Sequence, residues 1–112
     1  MTQSFDARIH NVTIPAAGTA TRAIQGIYEY SDATAIFIQA PAALDVGTYV
    51  IQISPNGVDT WTNLSDGAND IAAPAAGKSR QYIEMIAAPW WRISGPTAAA
   101  ERTFIVSKQW TA

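Results

Sequence analysis

The chain has 112 residues, 48% of them hydrophobic and 14% charged, with seven Lys and Arg against nine Asp and Glu and a formal net charge of -2. That length holds a single domain, 1–112, able to bury roughly two thirds of its unfolded surface, and its scattered Arg residues exclude a nucleic-acid binder, which needs clustered Lys and Arg to neutralise phosphates. No cysteine occurs, so packing alone holds the fold, and no apolar run is long enough to span a bilayer.

The opening segment MTQSFDARIH lacks the apolar stretch of a secretory signal, so the sequence reads as starting near Met1 and as made in the cytoplasm of its host cell. Strands are expected at 4–14, 21–30, 33–40, 48–54, 60–64, 79–86, 90–94 and 102–108, with 1–14 serving as an edge strand or an attachment arm. Gly and Pro residues fall between these runs or near their ends. This spacing predicts an all-β chain, a single antiparallel β-sandwich of the jelly-roll or immunoglobulin-like kind with about seven to nine strands. The Ala-rich stretches 41–44, 71–76 and 97–101 are too short for stable helices and read as loops. Segment 65–78 is the longest without periodicity, and loops of that length in compact domains are usually functional or mobile.

The segment TYVIQISPNGVDTWTNL, 48–64, reads as a β-hairpin. Tyr49, Ile51 and Ile53 share one parity, and Trp61 stands where its ring would cover that face. In the turn, Pro55 pre-sets φ and Gly57 accepts φ > 0, so the chain reverses between Ser54 and Asp59 through Pro55, Asn56 and Gly57 with little strain. Later strands carry apolar residues on both parities. Phe104, Val106 and Trp110 oppose Thr103, Ile105 and Ser107, while Ile83 and Met85 oppose Tyr82, Glu84 and Ile86. Such strands want cover on both faces, from a second sheet with a long loop or from a neighbouring subunit.

Catalytic chemistry finds little support. His10 is the sole histidine, and nothing around it marks a nucleophile elbow. Glu29, Glu84 and Glu101 have no spacing that favours a facing carboxylate pair. Asp66, Asn69 and Asp70 resemble the start of a calcium loop, but Gly77 stands where a bidentate Glu would be needed, and turn-forming Asx chemistry explains them better. No Gly-rich phosphate cradle follows a strand. The reading is a protein without catalytic residues, metal or cofactor.

Aromatic residues are the remaining candidates. Trp90 and Trp91 are adjacent, so on a strand they point to opposite faces, one into the core and one to the surface or an interface. An exposed Trp either stacks on a sugar or anchors a protein contact. Trp110 near the end of the chain, and Phe5 near its start, are the other interface candidates, because apolar termini are usually ordered only when something pins them.

The hairpin VIQISPNGVDTWTNL, the following segment DGANDIAAPAAGKSRQYIEMIAAPWWRISG and the closing strand AERTFIVSK together resemble the small β-sandwich proteins of tailed-bacteriophage structural modules, over about 48–108. Ser54, Pro55, Asn56, Gly57, Thr60, Trp61, Arg92, Arg102, Thr103 and Phe104 occupy the matching places. The resemblance implies a head decoration, or cement, protein on the outer surface of the virion. It would bind the major capsid protein as a homo-oligomer, with a trimer favoured, and would involve neither nucleic acid nor membrane. A carbohydrate-binding or receptor-recognition module, with a glycan on Trp90 or Trp91, is the alternative, as is a minor tail or baseplate component. SPNGVDTW also resembles a sialidase-type Asp-box, with Asn56 for Asp and Gly57 one place early. A single degenerate copy is structural at most.

Overall fold

The structure, a computed structural model, describes residues 9–26, 35–85 and 88–109. All regular elements among them are strands: β1 (Ile9–Ile14), β2 (Ala35–Gln39), β3 (Val50–Ser54), β4 (Thr62–Asn63), β5 (Ser79–Tyr82), β6 (Trp90–Ser94) and β7 (Arg102–Gln109). They form two antiparallel sheets, one of four strands in the order β1-β7-β2-β5 and one of three in the order β4-β3-β6. The all-β expectation and the strand number agree with this architecture. No helix among the described residues is long and apolar enough to cross a membrane.

Alternation explains how the sheets meet. Val12 and Ile14 on β1, Ile36 and Ile38 on β2, and Phe104 and Val106 on β7 point inward from the larger sheet, and Ile51, Trp91 and Ile93 point inward from the smaller one. These side chains form one core, a sandwich-like arrangement. Tyr49, just before β3, meets Phe104 across the sheets with ring centroids 6.1 Å apart and planes tilted by 55°. Each fully buried aliphatic contributes roughly 1.5–3 kcal/mol. An exposed ion pair is worth at most about 1 kcal/mol, so the inward rows set the fold.

Three local expectations need correction. The strand expected at 21–30 is realised, over its described part, only as an isolated bridge of Ile24 with Trp91, with a second bridge of Ala20 with Ser94 just before it. There Thr21 takes over part of the ladder: its N–H donates to the Ile93 carbonyl, and its hydroxyl accepts the Ile93 N–H at 3.1 Å. Segment 65–78 is likewise no plain loop. The chain leaves the β4 edge at Leu64, closes a small excursion with a Ser65–Asp70 bridge, and returns through Ala72, which pairs with Val50. Ile71 and Ala73 thereby enter the core. Their alternation is masked in sequence because Ala and Pro surround it. Finally, Ile83 and Met85 do not share a face. β5 ends at Tyr82, and in the bend that follows Ile83 is 65% exposed while Met85 is fully buried.

Candidate functional site

The 54–61 turn is built by side chains. The Ser54 hydroxyl, fully buried, accepts the Gly57 N–H at 3.0 Å and donates to the Asp59 carbonyl at 2.6 Å. Asn56 Oδ1 accepts the N–H groups of Val58 and Asp59, at 2.9 and 3.0 Å, and Asn56 Nδ2 donates to Asp59 Oδ1. These contacts and a bond from the Thr60 hydroxyl hold the Asp59 carboxyl below its ordinary range, Asn56 contributing most. Gly57 takes φ 74°, as the turn chemistry requires. Ser54, Asn56 and Gly57 thus hold the places expected of them, and Pro55 is exposed between them.

Trp61 is not where the sequence put it. It lies half-buried on the outer side of the smaller sheet, away from Tyr49 and Ile51, with the Arg92 guanidinium 4.1 Å from its ring centroid. Register supplies the reason: Gln52 pairs with Asn63 and Ile53 with Thr62, so Trp61 follows the parity of Asn63 and faces outward. Trp91 is fully buried, whereas Trp90 is half-buried on the outer face. The Trp90 indole packs against Gly57, where an added Cβ would stand 2.6 Å from the ring. Phe5 and Trp110 fall outside the described residues.

A row of polar side chains crosses this outer face. Arg92 Nε donates to Gln52 Oε1 at 2.8 Å, Gln52 Nε2 donates to Asn63 Oδ1 at 3.1 Å, and Asn63 Nδ2 donates to Asp70 Oδ2 at 3.0 Å. Partial burial lowers the Arg92 pKa from its ordinary value. The alternation of Gln52 and Arg92 with buried neighbours marks them as outward in the sequence. Their joining into one row depended on strand register, which no local pattern displays.

The outer face of the larger sheet differs in kind. Ile9, Asn11 and Thr13 of β1, Thr103, Ile105 and Ser107 of β7, Phe37 and Gln39 of β2, and Ser79 and Gln81 of β5 occupy its positions, and none is charged. Ile9 is 54% exposed, Phe37 38% and Ile105 39%. In the register Ser107 lies between Ile9 and Phe37, and Asn11 and Gln39 flank Ile105, so the three apolar side chains surround Ser107. The sequence showed apolar residues on both parities here without showing that β1, β2 and β7 would bring them together.

A groove of about 390 Å³ lies between 44–48 and 72–76, with Tyr49 in its lining. Asp45 beside it accepts from Arg102 Nε at 2.9 Å and from the Ala99 N–H, which together lower its pKa. Asp66 accepts the N–H groups of Ala68 and Asn69, the Asx turn expected of it, and its pKa is lowered by them. His10 is half-buried opposite Val106 on β7, and Glu84 and Glu101 are exposed. Among the described residues no three His, Cys, Asp or Glu side chains gather as metal ligands would. Compared with protein-family models, curated proteins and solved structures, the chain matches none.

Proposed function

We propose that the protein is a non-enzymatic structural component of a tailed-phage particle, a head decoration protein of jelly-roll or immunoglobulin-like topology that attaches to major capsid subunits as a homo-oligomer. The observation that carries this reading is the uncharged outer face of the four-stranded sheet, with Ile9, Phe37 and Ile105 exposed on it. A solvated sheet face ordinarily alternates to charged and polar residues. Exposed apolar side chains on a face without charge suit a protein contact instead.

Size refines the reading. Four strands at about 4.8 Å spacing and about 20 Å in length offer on the order of 400 Å² of flat surface. A stable pairwise interface takes about 800 Å² from each partner. This face alone is therefore too small for a tight binary complex and suits a lattice, where several modest contacts act together. A trimer seated where capsid subunits meet supplies that arrangement.

Immunogold labelling of phage particles from the source that encodes the chain tests the placement. Label over the heads at many copies supports it; label confined to tails, or particles without label, overturns it.

A further inference from the structure

The smaller sheet's outer face is not the one proposed for attachment, and its polar row has a fixed direction. A carboxylate such as that of Asp70 can only accept, and Arg92 can only donate. Between them the two amides have one consistent orientation: Asn63 must donate through Nδ2 to Asp70 and accept at Oδ1 from Gln52, and Gln52 must accept at Oε1 from Arg92. Hydrogen bonds in such a chain polarise one another. The row therefore directs the guanidinium, with Nε engaged and its central carbon 4.1 Å from the Trp61 ring centroid.

What remains of Arg92 is unspent. Among the described residues its two η nitrogens make no hydrogen bond and it forms no ion pair. Arg102, by contrast, is paired with Asp45. Burial lowers the Arg92 pKa from its ordinary value, so a partly desolvated cation stands without a counter-ion among the described residues. An ordered guanidinium edge of this kind matches a carboxylate bidentately. Two residues away on the same face of β6, Trp90 presents a half-buried indole packed against Gly57. Indole rings fixed in this way are surfaces for apolar ring faces.

We propose that Trp90, Arg92 and Trp61 form a binding site for a carboxylate-bearing sugar, a uronic acid unit of an acidic polysaccharide. The pyranose lies on Trp90 and its carboxylate takes the η nitrogens of Arg92. Gln52, Asn63 and Asp70 are positioning residues, which aim the guanidinium without touching the ligand. A phosphate would satisfy Arg92 but leave Trp90 without a partner, so ring and charge together favour the acidic sugar.

The test is NMR titration of the folded protein with tri-galacturonate, its neutral methyl ester, and inorganic phosphate, followed on the tryptophan indole N–H signals. Saturable shifts of the Trp90 and Trp61 signals with tri-galacturonate are expected, with the methyl ester and phosphate each at least about tenfold weaker, the order of loss when one charge-assisted contact is removed. Arg92→Gln should erase the preference for acid over ester while the buried Trp91 signal stays in place, which reports an intact fold. Asn63→Leu should weaken acid binding and leave ester binding unchanged, an outcome that a purely structural row would not give. Equal binding of acid and ester, equal binding of phosphate, or no saturable shift in the unmodified protein overturns the proposal.

Discussion

Gly57 and Trp90 interlock: the glycine sits at φ 74° directly against the indole, with no room for a β-carbon between them. Two separate penalties therefore attach to any substitution there. Strain at positive φ costs about 1–3 kcal/mol, and the collision with the ring adds to it.

Gly57→Ala should thus destabilise the protein in urea unfolding by more than the φ term alone. In a Trp90→Ala background the collision disappears, so the same substitution should cost only the φ strain, about 1–3 kcal/mol. Equal costs in both backgrounds would mean that the turn does not rest on the ring. Gly57→Val should be worse than Gly57→Ala, since a β-branched side chain tolerates this region least.

Thr21→Val should lower stability by about 1–3 kcal/mol, because the Ile93 N–H that donates to the Thr21 hydroxyl would be left buried without a partner. Thr21→Ser keeps the acceptor and should cost less than half as much. Chemical unfolding of the two variants side by side checks the difference, and equal losses would remove the hydroxyl from the account.

Tyr82 predicts an alkaline limb. Burial pushes its pKa up to about 12, with Arg80 opposing the shift, and its hydroxyl donates to the Ala72 carbonyl at 2.6 Å. The fold therefore favours the neutral phenol. Its contribution is complete below the ordinary tyrosine pKa near 10 and fades as pH rises from about 10 towards 12. Tyr82→Phe should cost about 1 kcal/mol at neutral pH through the lost hydrogen bond and should flatten the decline in that window. Thermal unfolding across pH 8 to about 12 measures both; an unchanged alkaline slope in the variant would contradict the assignment.

How far the sequence carried these conclusions depended on the range of the interaction. The strands expected at 33–40 and 102–108 were legible as β-branched and apolar runs bounded by Gly and Pro, while apolar residues on both parities left open which face was inward. The Ser54–Asp59 turn was legible because Gly57, Pro55 and Asn56 act on their own backbone. Trp61 was misplaced because parity within 48–54 says nothing about register across the turn, and a shift of one residue moves a ring to the other face. Ile71 and Ala73 were missed because their partners, Tyr49 and Ile51, lie far back in the chain. The Arg92–Gln52–Asn63–Asp70 row needed three strand positions and an excursion to assemble, so no local pattern could display it.

Attachment is proposed through the uncharged face of the four-stranded sheet. It is tested most directly by occupancy on purified phage heads at about 50 and about 500 mM salt, with the unmodified protein and Ile105→Asp compared. Screening at the higher salt weakens exposed ion pairs but leaves apolar burial intact or slightly stronger. The account predicts that the unmodified protein stays on the heads at both salts, and that Ile105→Asp, folded by circular dichroism, binds at least about tenfold more weakly, as when an anchor at the centre of a contact is lost. Release of the unmodified protein by salt, with Ile105→Asp binding as well as it does, would contradict attachment through this face.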